Sequence, residues 1–445
     1  MVKNWSKIVL VSMLVIAIAA PAFATTARVR SMANTGDYLS DDSNVFRWYS
    51  TLPSYANMVQ AEIGSWNEDW IYSGDSGGLF NSRALGFNYA CGEDGKWGTY
   101  RVSLLENAVD DPGYYLVNPF LHMMALTEGG FNNPSPFDTT PVNKWDLAGG
   151  WEISENSVVG FAFTRSSFKI EDQQSDPQEE LSVSWTSLGF GYTFTNNEDM
   201  IIDATFTYVT AGGDWTATAT PAPDPNKAEW DKNSGLNFAA RLFWDWKDYV
   251  TVVPLFDYAQ SEYLIKSNDT AGDPLNAGNK NKAVKFGIGL DLEVNGSNTL
   301  IFAAEYNWAK FEPSAPDTNN PAFTASVFPT FRLALESEIT SWLTTRVGAL
   351  HRNATFTDTD SNQDVTWTNN SFDEYEIPSQ AALFDFDNSF EWFLGAGFNV
   401  AEWTIDMELA PETPFSMGWW LHGYTAFESE EEYGPIARIS GTYNF

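Results

Sequence analysis

The sequence predicts an all-β protein, a transmembrane antiparallel β-barrel of about 16 strands, and three observations favour this fold class. Apolar and polar residues alternate with a period of two along many segments. Short connections between these segments alternate with long polar ones. The chain also begins with the pattern of an export signal.

The export signal lies in the first residues. Lys3 and Lys7 form a basic start, residues 8–20 are apolar, and residues 22–24 read Ala-Phe-Ala, a small-residue cleavage pattern. The apolar run is shorter than the roughly 20 residues that a membrane-spanning helix needs. We therefore expect residues 1–24 to be a signal peptide, and no later stretch is apolar enough for a helical span.

Alternation is clearest over residues 283–294, where one face is apolar and the other small, polar or charged. The apolar face carries Val284, Phe286, Ile288, Leu290, Leu292 and Val294. Asn295 and Gly296 follow, a pair that favours a two-residue hairpin because both tolerate positive φ. The return strand then alternates over residues 300–309, which predicts a hairpin with one lipid-facing side.

The same pattern recurs along the rest of the chain, at 145–153, 202–208, 236–245, 390–398 and 403–409. Phe243 interrupts it, because this apolar residue lies on the otherwise polar face. Seven such hairpins predict fourteen strands, and segments at 58–65 and 433–445 raise the count to sixteen. A fourteen-stranded barrel is the alternative.

Connection lengths distinguish a barrel from a soluble sandwich. Short turns are predicted at 92–95, 155–156, 195–198, 246–248, 295–296, 339–341 and 400–402. Long polar connections are predicted at 106–143, 171–180, 211–233, 266–280, 312–323, 357–388 and 411–432. Outer-membrane barrels have short periplasmic turns and long outer loops, and sandwiches have no reason to alternate in this way.

Three regions follow from these patterns. Residues 1–24 form the signal peptide, and residues 58–445 form the transmembrane barrel. Residues 25–57 show no alternation, so we expect a plug inside the barrel or an arm in the periplasm. The predicted localisation is the cell outer membrane, with outer-membrane lipid as the first partner.

The last strand ends in an aromatic residue. Phe445, Tyr443 and Ile439 share one face of an alternating segment. A terminal aromatic residue on such a strand resembles the signal by which the outer-membrane assembly machinery recognises its barrels. The resemblance makes these three residues a candidate assembly signal and the assembly machinery a partner.

Charge and composition exclude several functions. Without Lys3 and Lys7 the chain has 22 basic and 59 acidic residues, a formal charge of −37, so nucleic-acid binding is not expected. The single Cys91 excludes an intramolecular disulfide and a cysteine-rich metal site. We expect no enzyme activity: residues 74–78 match the nucleophile loop of trypsin-like proteases, but His122, the first histidine, follows Ser76, against the order of that family.

One loop offers possible metal ligands. Oxygen-bearing side chains alternate there, at Asp358, Asp360, Asn362 and Asp364. The loop lacks the glycine and bidentate glutamate of an EF-hand. A solvated acidic loop is the simpler interpretation, with loosely bound divalent cations such as calcium as the alternative. No other cofactor is expected, and Glu428, Glu430, Glu431 and Glu432 form a second acidic run.

The N-terminal region adds a family resemblance. Residues 41–46 read Asp-Asp-Ser-Asn-Val-Phe, Pro53 follows, and a strand begins before Glu62. This order resembles the entry region of the fatty-acid-transporter superfamily, whose relatives include barrel subunits of type IX secretion. The turn at residues 51–54 lacks the Asn-Pro-Ala pattern of that family. The resemblance implies an outer-membrane barrel of fourteen strands.

A channel or passive transporter for small solutes is the predicted function, with cations or neutral solutes preferred over anions. The preference follows from the acidic excess and from candidate lumen charges at Lys285, Asp291, Glu293, Glu305, Asp203, Arg241, Asp406 and Glu408. The alternative is a non-transporting surface or assembly barrel whose outer loops bind a protein partner.

Overall fold

The computed structural model describes residues 26–64, 82–92, 95–106, 143–172, 178–196, 199–218, 226–268, 274–313, 322–358, 366–368, 390–409 and 436–445. Within these ranges no helix has the length and apolar character needed to cross a bilayer.

Antiparallel strands dominate the described chain. In chain order they are β1 (Met58–Gly64), β2 (Ser82–Ala90), β3 (Thr99–Glu106), β4 (Asn143–Ser154), β5 (Ser157–Asp172), β6 (Gln178–Asn196), β7 (Met200–Thr218), β8 (Asn226–Lys247) and β9 (Val250–Asn268). They continue as β10 (Pro274–Asn295), β11 (Asn298–Pro313), β12 (Phe323–Thr340), β13 (Leu343–His351), β14 (Ala354–Asp358), β15 (Thr366–Thr368), β16 (Phe390–Val400), β17 (Trp403–Leu409) and β18 (Ile436–Asn444).

The sheet closes on itself as a barrel of sixteen strands. Pairing of β1 with β18 from Met58↔Asn444 to Gly64↔Arg438 closes it. Both β13 and β14 pair with β12, so they are two parts of one wall strand, and β15 and β16 share the next position. The predicted sixteen strands are confirmed, and the fourteen-stranded alternative is wrong.

Short connections lie at one end of the barrel, which we call the short-turn end. Those between neighbouring strands are residues 91–98, 155–156, 197–199, 248–249, 296–297, 341–342 and 401–402. Exposed aromatic side chains stand beside them, among them Trp97, Trp246, Tyr249 and Trp342. Trp and Tyr favour the interface between membrane and water, so these side chains mark one edge of the apolar band.

Several predicted long loops are wrong in extent. The strands β8 and β10 each have 22 residues, about twice what a tilted strand needs to cross a bilayer. Residues 211–218, 226–233 and 274–280, assigned to loops by their polarity, therefore continue the wall beyond the apolar band. A wall strand outside the membrane needs no lipid-facing side, so it loses the alternation that predicts it.

The side chains of the wall alternate between two faces. On β10 the outward Phe286 and Ile288 are more than half exposed, while Gly287 and Gly289 meet Tyr38 inside the barrel. The alternation over 283–294 therefore lies as the sequence predicts. Phe243, which interrupts the pattern on β8, packs against a buried cluster that includes Trp48.

Residues 26–57, here called the N-terminal segment, lie against the inner face of the wall. The segment has one short helix, α1 (Thr26–Ser31), and three 3₁₀ helices at Gly36–Tyr38, Asp42–Phe46 and Tyr49–Tyr55. Asp41 caps the second 3₁₀ helix by accepting a hydrogen bond of 2.9 Å from the Ser43 N–H. Ala33 and Asn34 turn the chain after α1 with positive φ.

The main apolar cluster joins this segment to the wall. Tyr38, Trp48, Met32 and Leu39 pack against Ala239, Val253, Leu255, Ile301, Ala303 and Ala334 of β8, β9, β11 and β12. Tyr38 and Trp48 are almost fully buried. Burial of a large apolar side chain contributes roughly 1.5–3 kcal/mol, so the cluster holds residues 32–48 of the segment firmly against β8–β12.

Candidate functional site

The interior of the barrel near the short-turn end is the candidate site, because the N-terminal segment and the predicted lumen charges meet there. Six of the eight predicted charges form ion pairs, and the other two line a separate cavity. The pairs follow in order around the wall.

Asp203 of β7 and Arg241 of β8 form an ion pair at 2.9 Å, and both side chains are almost fully buried. The Arg241 guanidinium lies 4.4 Å from the centre of the Trp48 ring and donates a hydrogen bond of 2.5 Å to the Asn44 side chain. It also donates a hydrogen bond of 3.2 Å to the Gly36 carbonyl. One wall arginine therefore holds three parts of the N-terminal segment.

Lys285 pairs with Asp37 of the segment at 3.2 Å. Arg47 lies 2.7 Å from the same carboxylate and also pairs with Asp257 of β9. Burial raises the pKa of Asp37, but Arg47, Lys285 and Arg241 together outweigh it and hold that pKa well below its ordinary value. Asp37 is therefore charged and central to the attachment.

Glu305 of β11 accepts a hydrogen bond of 2.9 Å from the Tyr38 hydroxyl and pairs with Arg332 of β12 at 3.0 Å. Arg332 also donates a hydrogen bond of 2.7 Å to the carbonyl of Ala33, in the turn after α1. These contacts fix residues 33–38 of the segment on the β11–β12 side of the barrel, while Tyr49–Tyr55 packs on β4 and β5 across the interior.

Asp406 and Glu408 of β17 face the helix α1. Asp406 pairs with Arg346 of β13, and Glu408 lies 3.2 Å from Arg30 of α1 and 3.6 Å from Arg438 of β18. Several inward arginines of the wall and of the segment were not among the predicted lumen charges; they include Arg332, Arg346, Arg438, Arg28, Arg30 and Arg47. Their strand parity could have placed the first three inside, but nothing in the sequence gives the partners.

Asp291 and Glu293 have a different environment. Within the described residues they form no ion pair, and they line a cavity of about 640 Å³ at the short-turn end. The same cavity is lined by Asp199, Asp245, Asp248, Glu336 and Glu338, with Lys247 as its basic residue. This end of the barrel therefore presents a negative field to solvent.

Inward glycines provide space for the N-terminal segment. A Cβ on Gly287 or Gly289 would overlap Tyr38, and one on Gly160 would overlap the backbone of Tyr49 and Ser50. Gly189 and Gly191 meet the same two residues, Gly348 meets Ala33 and Gly395 meets Ser31. The wall thus has its smallest residues where the segment approaches most closely.

Neutral contacts complete the attachment. The Tyr49 hydroxyl lies 3.1 Å from the Thr207 hydroxyl, and the hydroxyls of Thr193 and Ser50 are 2.8 Å apart. Burial raises the pKa of Tyr49 to about 12, so its hydroxyl stays neutral. Farther from the short-turn end, the residues on the inner face of β8–β11 are small and neutral. They are Asn237, Ala259, Ser261, Asn281, Ala283 and Ala309.

The candidate assembly residues lie on the closing strand. The ring of Phe445 stacks on the rings of Phe87 of β2 and of Tyr443, with ring centres 5.7 Å and 6.3 Å apart. The backbone N–H of Phe445 donates a hydrogen bond of 3.0 Å to the carbonyl of Asn57. Ile439 pairs with Ile63 of β1. These three residues thus stand at the seam where the first and last strands meet.

The candidate metal ligands lie almost wholly outside the described residues, which include only Asp358 at the end of β14. Within the described ranges, no group of three His, Cys, Asp or Glu side chains has a metal-binding arrangement. His122, His422, residues 74–78 and the acidic run at 428–432 also lie outside these ranges. His351, at the end of β13, points outward and is exposed.

No family model matches this chain, and no curated protein matches it. Solved structures with a similar arrangement include the Pseudomonas putida toluene transporter TodX, at 8% identity and a TM-score of 0.41, covering 96% of this chain and 99% of that one. A Pseudomonas aeruginosa FadL homologue has 11% identity and a TM-score of 0.41, covering 96% and 100%. BauA, the ferric preacinetobactin receptor of Acinetobacter baumannii, has 9% identity and a TM-score of 0.43, covering 79% and 53%.

The chain is an outer-membrane type of β-barrel. Its closed antiparallel wall of sixteen strands, with apolar side chains exposed on the outward face, decides this. The fourteen strands that the resemblance implied are not what the chain forms.

Proposed function

We propose that this protein is a passive channel of the outer membrane for small neutral solutes, closed in this structure by its N-terminal segment. The observation that carries the proposal is the attachment of residues 26–57 across the inner face of the wall near the short-turn end. Charged pairs, hydrogen bonds and an apolar cluster all contribute to it. Solutes would pass when this segment moves aside.

The pairing of inward charges supports neutral solutes rather than cations. Lys285, Arg241 and the inward arginines neutralise the carboxylates of the wall locally, so little net field is left at this level. The small neutral residues beyond it offer amide and hydroxyl groups to a solute. A cation preference from the acidic excess of the chain would therefore arise outside this region and be screened by salt.

The outer-membrane location rests on the outward face of the wall. Phe286, Ile288, Phe331, Leu333 and Trp392 are among its exposed apolar side chains, which water would not favour. The short-turn end would face the periplasm, and the long connections would face outward. A basic partner could then approach the acidic cavity from the periplasm.

A disulfide between segment and wall tests the closure. Ser50→Cys with Thr193→Cys, in a Cys91→Ala background, places two thiols where hydroxyls now lie 2.8 Å apart. The oxidised protein in liposomes should admit a neutral sugar several-fold more slowly than the reduced one. Asn399→Cys with Thr404→Cys joins two wall residues whose side chains are 3.1 Å apart, and serves as the control.

Three results would count against the proposal. Equal uptake by the oxidised and reduced forms would mean that the segment does not gate the path. Uptake of salt as fast as of sugar, with a reversal potential that favours cations, would contradict the neutral preference. A correctly folded barrel with no uptake even without residues 26–57 would favour the alternative, a surface or assembly barrel that binds a protein partner.

A further inference from the structure

The outward face of β9–β12 changes from apolar to polar along one row of the sheet. Gln260, Lys282, Lys310 and Thr324 are successive register partners in that row. On the side toward the short-turn end of this row, the outward residues of the four strands are mostly aromatic or aliphatic, among them Tyr258, Phe286, Trp308 and Phe328. The row therefore marks an edge of the apolar band.

The position of Lys282 agrees with the thickness of a membrane. The outward face of β10 is apolar from Val284 to Val294. Ten residue steps of about 3.3 Å, inclined by about 40°, span roughly 25 Å, the height of the apolar band of outer-membrane barrels. Since Val294 lies at the short-turn end, Lys282 stands at the opposite edge, beside the lipid head groups of the outer leaflet.

Positive charge is concentrated at this edge. Lys282 and Lys310 are direct partners in the sheet, and Lys280 lies two residues from Lys282 on the same face. Like charges directly opposite each other destabilise a sheet unless something neutralises them. The chain as a whole has 24 basic and 59 acidic residues, so three neighbouring lysines are not what a chain of this composition would place together by chance.

Neighbouring carboxylates neutralise only part of the cluster. Lys280 pairs with Glu262 at 3.6 Å, and Lys310 pairs with Glu312. Lys282 is exposed and forms no ion pair with any residue that the structure describes. Tyr306 and Trp308 lie on the same outward face of β11, immediately inside the row, where aromatic side chains meet head groups.

We propose that Lys282, with Lys280 and Lys310, binds the phosphate of an outer-leaflet lipid head group. This inference rests on the proposed outer-membrane location and adds a lipid site on the outside of the wall, separate from the solute path. A phosphate between Lys282 and Lys310 removes their repulsion, and the rings of Tyr306 and Trp308 contact the upper part of the lipid chains.

Native mass spectrometry of the detergent-solubilised barrel tests the proposal. The probe is a lipid A with two phosphates, and the reference is the same lipid after removal of both phosphates. Wild type should retain the phosphorylated form several-fold better. Lys282→Gln should lower its retention by about fivefold, as expected for one lysine near an anionic surface, and Lys282→Gln with Lys310→Gln should lower it further.

Lys96→Gln is the matched control, because Lys96 is exposed in the connection between β2 and β3 at the short-turn end. It should bind as wild type does, and all variants should keep heat-modifiable migration on gels. Equal retention of both lipids, or equal loss from Lys96→Gln and Lys282→Gln, would overturn the lipid site. Displacement by inorganic phosphate at the concentration of the lipid would show a free-anion site and overturn it as well.

The proposed channel and the lipid site fail in different ways. A barrel that inserts and admits sugar but ignores lipid phosphate refutes the lipid site alone. A barrel that does not insert into vesicles of any composition refutes the outer-membrane proposal itself.

Discussion

The hydroxyl of Tyr38 donates a hydrogen bond of 2.9 Å to Glu305, and its ring fills the space beside Gly287 and Gly289. A side chain on either glycine would overlap that ring. The wall and the N-terminal segment are therefore complementary in both charge and shape, although 267 positions separate Tyr38 from Glu305.

Gly287→Val should loosen the N-terminal segment without unfolding the barrel. The new side chain would displace Tyr38, and an overpacked buried site costs about 1–3 kcal/mol. We expect faster sugar uptake into liposomes and faster proteolysis within residues 26–57, with unchanged heat-modifiable migration. Gly212→Ala is the control, because a Cβ there meets open space. The same behaviour in both variants would show that the fit of Tyr38 does not hold the segment.

Ile288→Arg should destabilise the barrel in the bilayer. Ile288 is 52% exposed on the outward face and lies near the middle of the apolar band, where an arginine costs about 2–4 kcal/mol. Val294→Arg, on the same face at the edge of the band, should cost only about 0–1 kcal/mol. Urea unfolding from vesicles measures the difference. Equal losses of stability in the two variants would contradict the placement of the membrane around β10.

The sequence predicts the wall well because parity fixes the two faces of a strand. Alternation from Val284 to Val294 and the turn signal at Asn295 and Gly296 specify this hairpin by local rules. The two-residue turn itself forms one position later than predicted, at Gly296 and Ser297, and Asn295 and Gly296 do not adopt positive φ. The strand ends beyond the membrane are missed, because residues 211–218 have no lipid-facing side and hence no pattern. Phe243 breaks the alternation because its partner is the Trp48 cluster rather than lipid.

The interior of the barrel could not be predicted in the same way. Glu305 and Asp406 are recognisable as inward charges, but their partners Arg332 and Arg346 follow from the register between strands. Arg47 pairs with Asp257, 210 positions away, across the boundary between segment and wall. Such pairs depend on the closed fold, so a count of charges along the chain cannot tell which inward carboxylates are neutralised by an arginine or lysine and which, like Asp291 and Glu293 within the described residues, are not.

Two carboxylates of the N-terminal segment should respond oppositely to neutralisation. Asp37 is charged and held by Arg47 and Lys285, so Asp37→Asn should weaken attachment by about 1–3 kcal/mol. Burial and the neighbouring carboxylate of Asp41 raise the pKa of Asp42 well above its ordinary value. Asp42→Asn should therefore leave attachment unchanged or stronger at neutral pH. Protease accessibility of residues 26–57 measures both, and weaker attachment in Asp42→Asn would contradict this assignment.

The pH dependence of attachment follows from the same two residues. The pKa of Asp37 is lowered in the folded protein, so its contribution is present above the unfolded value of about 3.9 and is lost as the pH falls below it. Attachment should weaken in acid in wild type and much less in Asp37→Asn.

The raised pKa of Asp42 acts in the opposite sense, since its protonated form contributes at low pH and that contribution is lost as the pH rises through its folded value. Asp42→Asn should remove the loss at higher pH, and identical profiles for wild type and both variants would refute the scheme.

Phe445→Ala should reduce the amount of barrel in the outer membrane while leaving export intact. The ring stacks on Phe87 and Tyr443 at the seam between β1 and β18, and the substitution keeps the backbone hydrogen bond to Asn57. Loss of this ring removes apolar contact where the barrel closes, together with the aromatic signal that the assembly machinery is expected to read. Phe390→Ala is the control, because Phe390 is an outward phenylalanine of similar exposure on β16, away from the seam. Heat-modifiable migration of membrane fractions measures folded barrel, and removal of residues 1–24 reports export. A normal level of folded Phe445→Ala, or an equal loss in Phe390→Ala, would mean that the terminal ring has no special part in assembly.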